Sequence, residues 1–322
     1  MEIHHLRALV SDDFEAVNAL IIDSIQSEHP LISEVSTHIV QSGGKRLRPL
    51  IVLLSCHACQ YQGPNHILLA ALIELFHTAT LLHDDVIDES TLRRGRETAN
   101  EIWGSNASIL VGNYLFMLYS QLMITVGDLS IMRMLTDISL QIGRGEILQL
   151  SNQHKVAPSV EDYFEIIRSK TSLLFAASAC LGAKISQSSP EIEQGLYHFG
   201  LHLGNAFQLI DDALDYCSDA QTIGKNIGND LADGKATLPL LYALQKGTAL
   251  QQQQIKISLE KGTLDYLPEI LNAIASTNAI EYTHRIAKKE IDAAVNALQI
   301  LPNSIYKEAL SELTQFAINR DH

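Results

Sequence analysis

Apolar residues recur at three- and four-residue intervals through residues 66–88, 106–126, 131–150 and 193–216, the period of an α-helix with a buried face. Several of these stretches are apolar around most of the helix. A helix of that kind belongs in a core or lines an apolar cavity. Runs that alternate apolar and polar residues between turns are scarce, so few strands are expected. Prolines 30, 49, 64, 158, 190, 239, 268 and 302 fall mostly near the starts of the helical stretches, where the missing N–H costs nothing. Turn-like clusters at 41–44, 151–160, 186–190 and 224–235 separate the segments. With no fixed-period repeat, low-complexity stretch or linker, the pattern predicts an all-α chain folded as a single domain over residues 1–322.

Two places break the apolar pattern in the same way. LLHDDVIDES (81–90) sets Asp84, Asp85 and Asp88 in a helical run, and LIDDALDY (209–216) repeats the spelling with Asp211, Asp212 and Asp215. Ionised carboxylates beside leucine and valine are costly to bury unless a cation neutralises them. Residues four apart lie on one side of a helix, so Asp84 and Asp88 form a two-carboxylate clamp, and Asp211 with Asp215 is expected to repeat it. Hard oxygen clamps of this kind suit Mg²⁺, which shares its remaining shell with water and phosphate. One such motif is equally well a solvated helix face, but two in apolar sequence are not. SGGKRLRP (42–49), LRRGRET (92–98), IRSKTS (167–172) and the loop at 223–239 add Lys45, Arg46, Arg48, Arg93, Arg94, Arg96, Arg168, Lys170, Lys225 and Lys235. Arginine forks and lysine charges are the usual ligands of diphosphate.

The overall balance narrows the partners. A net charge of −14 excludes a nucleic-acid partner, which needs a basic surface. The first residues, MEIHHLRALV, have neither the basic start nor the apolar stretch of a signal peptide, and no uninterrupted apolar run reaches membrane-spanning length. Cys56 and Cys59 form a single CxxC; without a second pair this reads as buried free thiols rather than zinc ligands. The cytoplasm is the expected compartment.

GGKRLRP, ELFHTATLLHDDVIDESTLRRGR, GEILQL, SKTSLLF, GNAFQLIDDALDY and GKNIGNDLADGKATLPLL follow one another from about residue 40 to 245. In this order they resemble the trans-prenyl diphosphate synthases, the bacterial long-chain members above all. The resemblance implies the all-α isoprenoid synthase fold, with helices around a large central cavity. It also implies head-to-tail joining of an allylic diphosphate, such as farnesyl diphosphate, to several isopentenyl diphosphates. Octaprenyl diphosphate or a similar long product, suited to a quinone side chain, would result. By similarity Asp84, Asp88 and Asp211 hold Mg²⁺, roughly three ions with substrate bound. Asp85 and Asp212 complete the catalytic carboxylates. Arg93, Lys170, Lys225 and Lys235 stabilise the leaving diphosphate, and Thr171 and Gln208 position the allylic substrate. Lys45, Arg48, His77 and Arg94 bind isopentenyl diphosphate. A lone histidine on an apolar helix would otherwise read as a satisfied core residue. The family further implies a homodimer and transient membrane contact during product release.

Product length is expected from residues just before the first aspartate motif, where family members with short products carry bulky aromatics. Here the positions hold Ala79 and Thr80, which leave room for a tail to run toward residues 106–126. A twenty-residue helix, about 30 Å long, can wall many isoprene units. Met123 and Leu135 are candidate floor residues, and Ala79→Tyr is expected to shorten the product. Asn113, Glu97 and Leu118 depart from residues common in the family, away from the metal and diphosphate positions. Both aspartate motifs are intact, which argues against a non-catalytic partner subunit. The second is DDALD rather than an NSE-type sequence, which argues against a class I terpene cyclase.

Overall fold

A computed structural model of the chain describes residues 3–155, 158–217 and 227–319. The described residues are α-helical almost throughout. In order they form α1 (Ile3–Ala8), α2 (Ser11–Ser24), α3 (Pro30–Gln41), α4 (Leu47–Ala58), α5 (Asn65–Ile87), α6 (Ala99–Trp103), α7 (Ser105–Val126), α8 (Leu129–Asn152), α9 (Val160–Ile167), α10 (Leu173–Ile185) and α11 (Pro190–Leu214). After these come α12 (Asn229–Ala232), α13 (Leu238–Lys246), α14 (Ala249–Lys261), α15 (Leu267–Ser276), α16 (Ala279–Ala297) and α17 (Ile305–Ile318). The four long periodic stretches of the sequence correspond to α5, α7, α8 and α11, each within a few residues of the expected ends.

Local chemistry sets the ends. Pro30 and Pro190 open α3 and α11, and Pro239 and Pro268 are the second residues of α13 and α15. The carboxylate of Asp128 accepts from the N–H groups of Ser130 (2.8 Å) and Ile131 (3.0 Å) and so caps α8. Ser159 with Asp162, and Thr248 with Gln251, form capping boxes at α9 and α14. Between α9 and α10 the backbone widens into one π-turn, Arg168–Ser172, in which the N–H of Leu173 donates to the carbonyl of Arg168. Such turns insert one extra residue and re-aim the side chains they carry, here Lys170 and Thr171.

One short ladder departs from the all-helical expectation. Leu92 pairs with Glu97 and Arg93 with Arg96, giving a hairpin of two-residue strands, β1 (Leu92–Arg93) and β2 (Arg96–Glu97). Its central residues Arg94 (φ 53°) and Gly95 (φ 75°) are both left-handed, the backbone of the tight turn that matches strand twist. Helix and strand periods are both invisible over six residues, so only the RG dipeptide could have announced it.

The chain divides into two compact units. The first comprises Met1–Leu135, Ala177–Leu196 and Ile300–Leu310; the second comprises Thr136–Ala176, Tyr197–Gln299 and Ser311–His322. Within the first, α5 packs on α2, α4 and α7. Leu69, Leu72, Ile73 and Leu75 of α5 are wholly inaccessible, and each contributes about 1.5–3 kcal/mol by leaving water. Helices α5 and α7 are both long and apolar enough to cross a membrane by length and composition. In α5 that character is absorbed by helix packing. In α7 it is divided between the face against α5 and an exposed stripe. Within the second unit, α13 packs on α14 and α16, and Leu240, Ile255, Leu259 and Ile270 form the buried centre. All four cysteines are free; Cys56 and Cys180 are buried, Cys59 is partly buried and Cys217 is exposed.

Candidate active site

In the first unit the aspartate motif closes α5. Asp84 and Asp88 are half-buried, and the N–H of Asp88 donates to the carbonyl of Asp84 (2.8 Å), which sets the two carboxylates one turn apart. Both lie at the helix's C-terminal end, where the macrodipole disfavours anions. That placement stores an electrostatic penalty that a bound cation would relieve. Asp85 turns the other way. It is 1% exposed, and the Arg93 guanidinium grips it through Nε (2.9 and 3.1 Å) and Nη2 (2.7 Å). The middle carboxylate of the motif therefore anchors the hairpin that carries Arg93, Arg94 and Arg96.

The hairpin is also tied to the glycine turn ahead of α4. Arg94 Nη1 donates to the carbonyl of Gly43, and Arg96 Nη1 to that of Gln41 (3.2 Å). A Cβ on Gly44 would sit 2.6 Å from Arg94 Nη1, and its φ is +137°, so only glycine lets the two loops meet. Among the basic residues of that turn, Arg46 is used internally, donating to Asn18 and lying 4.0 Å from Glu74. Lys45 and Arg48 share the same segment, and Arg48 and Arg94 both act on His77 and Glu74. Burial and then the charges of Arg48, Arg93 and Arg94 hold the His77 imidazole well below its usual pKa, hence neutral. His77 there is a polar contact rather than a charge. Burial raises the Glu74 carboxyl, against the pull of Arg46, Arg48 and Arg94.

In the second unit the motif recurs at the end of α11, and its last carboxylate has a further task. Helix α11 ends at Leu214, and the N–H of Asp215 still donates to the carbonyl of Asp211 (3.2 Å), as that of Asp88 does to Asp84. The Asp215 carboxylate accepts from the N–H groups of Asn229 (3.2 Å) and Asp230 (3.1 Å), so it also caps α12. Asp211 is exposed and Asp212 buried. Tyr163 of α9 donates to Asp212 Oδ2 (2.6 Å), and Gln208 Nε2 donates to Oδ1 (2.8 Å). Thr171, from the π-turn, donates in turn to Gln208 Oε1 (2.9 Å). Lys170, one residue earlier, meets Glu146 at 3.0 Å, and Lys235 meets Asp233 at 3.0 Å. Thr171, Gln208 and Asp212 thus form one chain with Tyr163. Lys225 lies outside the described residues. Tyr163 and Glu146 were not assigned from the sequence, although Glu146 stands in the GEILQL segment.

Burial, and the neighbouring Asp211 and Asp215, push Asp212 up to about 7 despite the hydrogen bonds from Tyr163 and Gln208. A carboxyl whose folded pKa is raised holds its proton more tightly when folded. Stability of chelator-treated protein should therefore fall as pH rises from about 4 through 7. Asp212→Asn should flatten that part of the profile, which chemical denaturation across pH measures; an unchanged slope would refute the assignment.

The positions expected to line a tunnel lie in the first unit. Ala79 is fully buried and Thr80 half-buried, its hydroxyl donating to the His77 carbonyl (2.8 Å). Thr80 is one helical turn before Asp84 and so on its face. Two turns before Asp84, Phe76 meets Phe116 and Tyr119 of α7 at ring separations of 5.2 and 5.0 Å, an aromatic cluster that spacing alone did not reveal. Met123 and Leu135 are buried. His83 lies against Phe116 and within 3.3 Å of the Ile109 carbonyl.

The sequence model of the polyprenyl synthetase family matches residues 29–274. Octaprenyl diphosphate synthase of Escherichia coli is 42% identical over all of both chains. A nonaprenyl diphosphate synthase of Rhodobacter capsulatus, described as geranyl-diphosphate specific, is 43% identical over 97% of this chain and 96% of its own. Among solved structures, a polyprenyl synthase of Caulobacter crescentus complexed with calcium and isoprenyl diphosphate superimposes with a TM-score of 0.95 at 38% identity. It covers 100% of this chain and 98% of its own. With the two aspartate motifs, the basic turns and the helical architecture in place, the chain has the all-α isoprenoid synthase fold and belongs to the polyprenyl synthetase family.

Proposed function

We propose that the chain is an active long-chain synthase. It extends an allylic diphosphate with successive isopentenyl diphosphates to octaprenyl diphosphate or a product of similar length. The observation that carries this reading is the Asp84–Asp88 pair at the negative end of α5, followed directly by a hairpin bearing three arginines. Half-buried carboxylates one turn apart fit a hard divalent cation. Asp84, Asp88 and Asp211 would hold Mg²⁺, which when bound supplies Lewis acidity to the leaving diphosphate. The calcium and isoprenyl diphosphate in the Caulobacter relative support a divalent ion and a diphosphate ligand in this family.

The chain's own residues then act on charge and position. Arg93, with Nε and Nη2 on Asp85, keeps Nη1 for an anion. Lys170, Lys225 and Lys235 add positive charge where the leaving group gains negative charge, a preorganised stabilisation of the transition state. Thr171 and Gln208, linked to one another and to Asp212, orient the allylic substrate. Lys45, Arg48 and Arg94, around neutral His77, bind the second diphosphate. Breaking the allylic C–O bond leaves a carbocation that the isopentenyl double bond attacks, and the proton lost afterwards passes to the departing diphosphate. No protein base is required. Apolar walls below Asp84 keep water from the cation.

Two further parts of the reading have separate support. Leu110, Met117 and Ile124 project from α7 at seven-residue intervals and are 66, 64 and 65% exposed. A second copy of the chain is the expected cover, making a homodimer that light scattering tests. We place the enzyme in the cytoplasm, with transient membrane contact as the hydrocarbon product leaves.

The assay is direct. Purified protein with Mg²⁺, farnesyl diphosphate and labelled isopentenyl diphosphate should give a long polyprenyl diphosphate, and no incorporation would overturn the reading. The test of length shifts from Ala79, which is wholly enclosed, to Thr80. Thr80→Tyr sets a ring one turn below the clamp and should yield shorter products by reversed-phase chromatography, whereas an unchanged product would remove Thr80 from the tunnel wall.

A further inference from the structure

At the opposite end of α5 from the aspartate clamp, three side chains from three helices converge. Asp13 of α2 lies with Oδ2 2.6 Å from His57 Nε2 of α4, and with Oδ1 3.1 Å from His66 Nε2 in the first turn of α5. Their ligating atoms all fall within 4.8 Å of one another. The side chains are 27, 27 and 16% exposed, so the cluster is framed by protein yet open to solvent ions. His66 and Asp84 are separated along α5 by about 27 Å at 1.5 Å per residue. The cluster is therefore no part of the diphosphate site.

Proton accounting shows what the cluster is prepared for. His66 Nδ1 is 2.9 Å from the carbonyl of Gly63, which can only accept, so Nδ1 carries a proton. Nε2 then faces an ionised carboxylate oxygen with its lone pair, a repulsive contact unless a second proton or a metal ion lies between them. A carbonyl holding the far nitrogen of an imidazole is also the outer support that fixes a metal-ligating histidine. His57 is braced by the Tyr306 ring stacked at 4.8 Å, and Tyr61 stands edge-on to His66 at 6.0 Å.

We infer that Asp13, His57 and His66 form a binding site for a divalent transition metal of the zinc class, which ties α2 to α4 and α5. Two imidazoles and a carboxylate select such ions over Mg²⁺, and a fourth position remains for water. Metal–ligand bonds of 2.0–2.1 Å in a tetrahedron put ligands about 3.3 Å apart. One nitrogen of each imidazole and one Asp13 oxygen lie within 4.8 Å of one another, so a metal ion could be reached by side-chain adjustment.

Chelator-treated full-length protein is titrated with CoCl₂ and, separately, dialysed against ZnCl₂. The wild type should develop the intense visible bands of a low-coordinate nitrogen–oxygen site, which all-oxygen octahedral sites at the aspartates do not give. His57→Gln/His66→Gln should lose those bands, bind one zinc fewer per chain and lose the zinc-dependent rise in melting temperature, while keeping its prenyl-transfer activity. Only weak octahedral bands in the wild type would overturn the inference, whether or not the double variant folds. Equal zinc stoichiometry in a folded variant would do the same, and would leave the triad as a proton-bound cluster.

Discussion

Asp84→Ala should lower prenyl transfer by at least about 10²–10³-fold, the loss typical of removing one preorganised electrostatic group from a reacting centre, and it should do so without unfolding the protein. Helix α5 is secured by its buried stripe, Leu69, Leu72, Ile73 and Leu75, none of which touches solvent. The deleted carboxylate stands at the helix's negative end, so its removal relieves a dipole repulsion worth about 0.3–1 kcal/mol. Measured without metal, the melting temperature should hold or rise slightly while turnover collapses. Asp88→Ala should behave alike. The contrast is Asp85→Ala, which strips the buried partner from Arg93 and should lower the melting temperature. Labelled isopentenyl diphosphate incorporation beside thermal melts in chelator separates the cases. Near-normal turnover in Asp84→Ala would remove it from the metal site.

The difference between Asp84 and Asp85 also marks where sequence reading stops. Helix positions, the first clamp and the basic turns could be read because they rest on local periodicity and residue type, which act within one or two turns of chain. The roles within DDxxD could not. Asp84, Asp85 and Asp88 are chemically identical, and which one turns inward depends on Arg93 arriving from a hairpin whose turn needs left-handed backbone at Arg94 and Gly95. The same limit explains Asp215. Its four-residue spacing from Asp211 announces the second motif, but not that its carboxylate also caps α12. That cap exists only because Asn229 and Asp230, 14 and 15 residues further along, come close. Tyr163 and Glu146 were missed for a related reason. Each earns its place through a partner 49 and 24 residues away, beyond any local pattern. The Asp13, His57 and His66 cluster likewise exists only once three helices pack.

Arg93→Met should destabilise the first unit, because Asp85 stays buried without its partner. Breaking a buried pair in this way costs about 3–5 kcal/mol, and the 26% exposure of the Arg93 side chain places the expected loss near the lower figure. At roughly 2 °C per kcal/mol for a chain of this size, the melting temperature should drop by about 6 °C. Adding Asp85→Asn removes the stranded charge, so the double variant should recover most of that loss. Activity should not recover with it. Arg93 commits Nε and Nη2 to Asp85 and leaves Nη1 to donate to a diphosphate oxygen. A hydrogen bond to such a charged group is worth about 1.5–3 kcal/mol, or roughly ten- to 150-fold in kcat/KM. Stability restored with kcat/KM still depressed assigns Arg93 both tasks. Recovery of both together would reduce it to an anchor for Asp85, and the leaving diphosphate would then rest on the metal and the lysines alone.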